Sequence, residues 1–193
     1  MSSLLLSVIL SWNTWAAGPA ATVKAVPANT PQTAILSAGC FWGVEEFFRK
    51  TPGVVGTEVG YTGGTKDKPT YEQVSSGTTG HAESVKIEFD PRKISYEDLL
   101  KLFFRMHDPT TLNRQGNDAG TQYRSEIFYS NDSQKQTAEK VMKLVNDSKK
   151  WQKPLTTKLE AASPFYPAEE YHQKYLVKNP HGYDNHYLRP FSF

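Results

Sequence analysis

The sequence contains a single cysteine, Cys40, so no disulfide can close within its 193 residues. Redox chemistry at sulfur must therefore run through one thiol and a partner from outside the chain. Neither sign of charge predominates: 22 Lys and Arg stand against 20 Asp and Glu, a net charge of +2. No basic stripe interleaved with aromatics is present, so no nucleic-acid partner is expected. Long apolar runs are also missing. The longest, Leu4 to Leu10, is interrupted by Ser7 and falls short of the roughly 20 residues of a spanning helix, so no membrane partner is expected either.

What is present suffices for one core, with 38% hydrophobic and 12% aromatic residues. Before it, Leu4 to Leu10 and the small residues Ala16, Ala17, Gly18 and Ala20 have the makings of a signal peptide, although no Lys or Arg precedes Lys24. Two readings follow: an export signal, which would deliver the protein to the periplasm or beyond, or a leader on a cytoplasmic protein. Ala20 to Pro31 is rich in Ala, Pro and Thr and reads as a linker. The chain divides into residues 1–31, leader and linker, and 32–193, a single domain.

Thr33 to Ala38 is a short apolar run ended by Gly39, and Phe41, Val44, Phe47 and Phe48 then recur at helical spacing. Cys40 is thus placed where a strand becomes a helix. Val54 to Tyr61 alternates, with Val55, Thr57, Val59 and Tyr61 on one face. Ala82 to Phe89 alternates as well, with Val85, Ile87 and Phe89 on one side and, by parity, Glu83 with them. A helix starts at Ser95, where Ser95 and Asp98 suggest a capping box, and turns Tyr96, Leu99, Leu100, Phe103 and His107 inward. A long polar stretch with Gly116 and Gly120 separates it from an alternating strand, Tyr123 to Tyr129. Ser133 to Val145 reads as a surface helix, Thr156 to Ala161 as a weak strand and Pro167 to Val177 as a last helix. Interleaved strands and helices without repeats make the class α+β.

A cysteine at a helix N-terminus faces unpaired backbone N–H groups and the positive end of the helix dipole, which lower its pKa and favour a nucleophilic thiolate. A lone cysteine is equally at home as a small buried hydrophobe, and position alone leaves both readings open. The inward parity of Glu83 adds to the first, because a carboxyl aimed at an apolar face is desolvated and stays protonated as a proton donor. Tyr61 and Tyr123 share that parity on their own strands and are candidate donors beside it, or else core tyrosines. His172, His181 and His186 lack metal-site spacing, so no metal is expected and they read as solvated tail residues; Glu45 and Glu46 read as a polar helix face.

Gly39-Cys40-Phe41-Trp42-Gly43 resembles the signature of the A-type peptide methionine sulfoxide reductases. In order along the chain, so do Gly60-Tyr61-Thr62-Gly63-Gly64, Gly80-His81-Ala82-Glu83, His107-Asp108-Pro109, Gln115-Gly116-Asn117-Asp118, Gly120-Thr121-Gln122-Tyr123-Arg124-Ser125 and His172-Gln173-Lys174-Tyr175-Leu176. The resemblance implies a two-layer α/β sandwich with a ferredoxin-like core that reduces the S epimer of methionine sulfoxide, free or in proteins, without a cofactor and as a monomer. It implies Cys40 as nucleophile, Glu83 as acid, Tyr61 and Tyr123 as donors to the sulfoxide oxygen, Phe41 and Trp42 as an apolar pocket for the methyl group, and Asp118 as a group that binds and orients the substrate.

The chemistry accounts for these residue types. A sulfoxide sulfur becomes electrophilic when its oxygen is protonated or strongly hydrogen-bonded, which calls for a neutral carboxyl and further donors. Thiol attack leaves Cys40 as a sulfenic acid that another thiol must reduce. Members of the family often carry recycling cysteines near the C-terminus, whereas the corresponding stretch here reads Pro180-His181-Gly182-Tyr183-Asp184-Asn185-His186. An external reductant, glutathione with glutaredoxin or thioredoxin, is therefore expected. Three other readings compete: a cysteine hydrolase or acyltransferase with a base such as His81, a thiol peroxidase or redox sensor, and an inactive binder of methionine sulfoxide.

Overall fold

The computed structural model describes residues 30–193; the proposed signal peptide and most of the linker lie outside the described residues. The elements are β1 (Gln32–Ala38), α1 (Phe41–Arg49), β2 (Val54–Thr62), α2 (Tyr71–Ser75), β3 (Ala82–Phe89), α3 (Tyr96–Met106), β4 (Arg114–Gln115), β5 (Asp118–Ala119), a 3-10 turn (Thr121–Tyr123), β6 (Ser125–Tyr129), α4 (Asp132–Ser148), β7 (Lys158–Ala161), β8 (Tyr166–Pro167) and α5 (Tyr175–Lys178). None of these helices is long and apolar enough to cross a membrane. The class is α+β, as expected, around a mixed six-stranded sheet ordered β7-β6-β1-β3-β2-β8. Only the β6–β7 pair is parallel.

Register explains the core. Leu36 lies opposite Val85 and Ile127, and Val85 opposite Val59, so these side chains share one face. That face joins Phe41, Val44 and Phe48 of α1, Leu99, Leu100 and Phe103 of α3, and Ala138, Val141 and Val145 of α4 in a single apolar cluster. The same register sets Tyr61 opposite Glu83, at the end of the sheet where β1 runs into α1.

Three expectations need correction. Val55 is exposed because a bulge lets Val54 and Gly56 oppose the consecutive pair Phe89 and Glu88, which shifts the strand's phase. Ser95 does cap α3, accepting from the Asp98 N–H at 3.0 Å, but the Asp98 carboxylate takes the Ser95 hydroxyl at 2.6 Å instead of reaching back to the backbone. The complete capping box is at Thr70 and Gln73, which start α2. Pro167 to Val177 is not one helix: Tyr166–Pro167 pairs with β2, and Lys174 takes a left-handed φ of 54° before the short α5. There Gln173 acts as a mock strand, accepting from Val59 N at 3.0 Å and donating to Val59 O at 2.9 Å, and Lys174 reaches Glu45. These tertiary bonds outweigh local helix propensity.

Candidate active site

Cys40 occupies the N-cap of α1, preceded by Gly39 at φ +97°, where a Cβ would lie 2.6 Å from the Gln115 side chain. Only 8% of the cysteine is exposed. The amides of Trp42 and Gly43 lie near enough to favour a thiolate without completing a capping hydrogen bond. They do not prevail. Burial, then the charges of Glu83 and Asp118, push the Cys40 thiol well above its ordinary value. The expected lowering by the helix terminus is thereby overturned, and the resting group is a thiol.

Glu83 is where its parity put it, 2% exposed at the start of β3. Its Oε2 accepts the Phe41 N–H at 3.1 Å, which ties the carboxyl to the residue after Cys40. Burial raises its pKa to about 8; the Phe41 bond opposes this and the nearby Asp118 adds to it. At neutral pH Glu83 is a carboxylic acid with a proton to give.

Tyr123 is brought to the same place by a different route from the one expected. It ends the 3-10 turn and lies outside the strand, which begins at Ser125, and its phenol is raised by burial and by Glu83, with Tyr71, Asp118 and Cys40 contributing. Tyr61 is buried beneath, and its hydroxyl donates to Glu169 Oε2 at 2.8 Å, so its proton is committed. Parity missed Tyr71, the first residue of α2. Its phenol feels burial, Glu83 and Cys40, and its N–H donates to Glu169 Oε1 at 2.9 Å. The Thr70-x-x-Gln73 capping box was the available signal for that helix start.

Phe41 and Trp42 supply aromatic walls. The Phe41 ring lies 5.1 Å from His172 and 5.9 Å from Tyr61. Trp42 stacks on Tyr175 at 3.8 Å and donates its indole N–H to His172 Nδ1 at 3.0 Å. Asp118 Oδ2 accepts from Tyr183 OH at 3.1 Å and Asn185 Nδ2 at 3.0 Å, so the C-terminal segment folds over this end of the sheet.

The histidines are therefore not solvated as a group. His172 is buried, and the His186 side chain is 1% exposed, with Nε2–H donating to Ala38 O at 2.7 Å. Glu45 is likewise buried rather than part of a polar face, accepting from Thr57 Oγ1, Lys174 N and Lys174 Nζ. His81 accepts from Gly64 N at Nδ1 and donates from Nε2 to Lys66 O. Both its nitrogens are engaged away from Cys40, which weighs against a cysteine–histidine hydrolase. Among the described residues no group of three or more His, Cys, Asp or Glu is arranged to hold a metal ion.

The site thus joins a buried thiol, a neutral carboxyl and two phenols beside aromatic walls, a set suited to activating an oxygen acceptor bonded to sulfur. A family model described as peptide methionine sulfoxide reductase matches residues 32–192. The peptide methionine sulfoxide reductase MsrA of Methanothermobacter thermautotrophicus is 54% identical over 149 residues, covering 77% of this chain and 88% of that protein. Among solved structures, reduced Mxr1 from Saccharomyces cerevisiae superposes with a TM-score of 0.79 at 40% identity, covering 88% of this chain and 97% of that one. Mxr1 in complex with Trx2 gives 0.57 at 27% identity, with 88% and 96% covered.

Proposed function

Since the chain belongs to the peptide methionine sulfoxide reductase family, we propose that Cys40 is its nucleophile, Glu83 its acid, and Tyr71 and Tyr123 its donors to the sulfoxide oxygen. The protein reduces methionine S-sulfoxide to methionine in the repair of oxidised proteins. The observation that carries the assignment of roles is the buried Glu83, with a pKa near 8 and a bond to the amide next to Cys40.

Glu83 and the two phenols hydrogen-bond the sulfoxide oxygen, and proton transfer from Glu83 makes the sulfur electrophilic. The Cys40 sulfur attacks as its own proton passes to the Glu83 carboxylate. The attack bonds Cys40 to the substrate sulfur; the hydroxyl then passes from that sulfur to Cys40, breaking the substrate's sulfur–oxygen bond and the new sulfur–sulfur bond, so that methionine leaves and Cys40 is left as a sulfenic acid. Sulfur in the substrate gains the two electrons that Cys40 loses. Phe41 and Trp42 hold the methyl group, and Asp118 orients the substrate from beneath Tyr183 and Asn185.

With one cysteine, the sulfenic acid condenses with an external thiol, releasing water and forming a mixed disulfide that a second thiol resolves. Thioredoxin is the favoured reductant, supported by the Mxr1–Trx2 complex. We read residues 32–193 as one catalytic domain. The strand order β6-β1-β3-β2, with α1 and α3 as crossovers, supports a two-layer, ferredoxin-like core.

The deciding experiment measures methionine released from an S-sulfoxide peptide with dithiothreitol, for the native chain and Cys40→Ala. Turnover that vanishes in the variant supports the roles assigned to the site. Turnover that persists removes Cys40 as nucleophile, and absence of turnover in the native chain favours the inactive binder. Mass spectra of oxidised enzyme with thioredoxin should contain the mixed disulfide.

A further inference from the structure

Next to the site, Arg124 and Glu126 form an ion pair that the chemistry above does not use. Arg124 Nε donates to Glu126 Oε2 at 2.6 Å, with side chains only 8% and 0% exposed. Arg124 Nη1 donates at 3.0 Å to the Thr121 carbonyl, which also accepts the Arg124 backbone N–H at 3.3 Å. One carbonyl thus receives both ends of the same residue, and it opens the 3-10 turn that Tyr123 closes. Gly63 makes the room: at φ +80° a Cβ there would lie 2.8 Å from Arg124 Nη2. Two separate motifs, Gly63-Gly64 and Tyr123-Arg124, meet at this guanidinium.

As a source of stability the pair is poor. Two ions are taken out of water, and Glu126 Oε1 has no hydrogen-bond partner among the described residues; apolar residues of similar size often do as well or better. Its geometric effect is specific, since it fixes both ends of a turn that carries a phenol into the field of Glu83 and Cys40. We infer that Arg124 is a positioning residue for Tyr123: the guanidinium, held by Glu126 beneath Gly63, sets where the Tyr123 hydroxyl meets the sulfoxide oxygen. This rests on the reading of Tyr123 as a donor. A displacement of about 1 Å in such a group costs on the order of 100-fold in rate.

The test is single-turnover methionine formation by reduced enzyme with a saturating S-sulfoxide peptide, in Arg124→Met, Tyr123→Phe and the two combined. Each single variant is expected to react about 10- to 100-fold slower with little change in substrate half-saturation. The combination should be within about threefold of the slower single variant, because both act through one hydroxyl. Reduction of the sulfenic acid by dithiothreitol should be unchanged. Losses that multiply in full, or native rate in Arg124→Met, overturn the inference while leaving Tyr123 as donor; native rate in Tyr123→Phe overturns that reading and the inference with it. If Arg124→Met does not fold, Arg124→Met combined with Glu126→Leu removes both charges and serves in its place. Arg124→Lys keeps the charge without the fork, so it should keep stability but not rate; native rate in this variant overturns the clamp.

Discussion

The Phe41 backbone N–H donates to Oε2 of Glu83 across 3.1 Å, joining the first residue of α1 to the second residue of β3. This bond sets the Glu83 carboxyl against the residue next to Cys40 and partly offsets the burial that raises its pKa. The acid and the thiol are therefore properties of one junction, and a change at either is felt at the other.

Glu83 titrates at about 8, so the single-turnover rate should be flat at neutral pH and fall as pH rises through that value. Glu83→Gln should lower the rate on the order of 100-fold and abolish that limb, leaving Cys40 alkylatable. A Gln variant with native rate and native pH dependence would remove Glu83 as the acid.

The same shift appears in stability. The folded pKa of about 8 exceeds the ordinary 4.5, so the folded chain holds this proton more tightly than the unfolded chain does. The contribution is complete below the ordinary value and is lost as pH rises to about 8. Thermal unfolding at pH 5 and pH 8 should differ less in Glu83→Gln than in the native protein; an equal difference in both counts against the shift.

Tyr61 and Tyr71 should separate by function. Tyr61→Phe removes a bond to Glu169 and should cost about 1 kcal/mol of stability with a rate within about fivefold of native. Tyr71→Phe should slow sulfoxide reduction by about 10-fold or more with little loss of stability. Rapid-mixing rates and urea titrations distinguish the two, and the reverse pattern would restore Tyr61 as the donor.

Cys40 rests as a thiol, its pKa raised chiefly by burial and then by the charges of Glu83 and Asp118. Alkylation by iodoacetamide should be at least about tenfold slower at pH 7 than for a free cysteine, and still rising at pH 9. A plateau near neutral pH would mean that the helix terminus prevails after all.

Glu45→Ala should act at a distance. The carboxylate holds Thr57 and both the amide and the ammonium of Lys174, and so anchors the segment whose His172 and Tyr175 brace Trp42. Losing it should cost about 2–3 kcal/mol and raise KM more than it lowers kcat. Unchanged KM would show that Trp42 needs no such brace.

Legibility followed the range of the forces. Alternation along Ala82–Phe89 was enough to turn Glu83 inward, because side-chain direction in a strand has a period of two and one face is buried. The Gly39-Cys40 junction was equally readable, since a glycine-ended apolar run followed by helical spacing is local information. Tyr61 shows the limit: parity put it on the right face, but only the register with β3 and the arrival of Glu169 from over a hundred residues away decide where its proton goes. Tyr71, Glu45, His172 and His186 escaped for the same reason, as their partners come from distant segments. The sequence by itself determined the α+β class, the lone thiol at a helix start and a buried carboxyl, because propensity and periodicity are set by neighbouring residues. Tertiary structure alone decided that the Tyr61 hydroxyl is bonded to Glu169, and that the Cys40 thiol is raised rather than lowered, because hydrogen-bond partners, desolvation and charge depend on what the fold brings close.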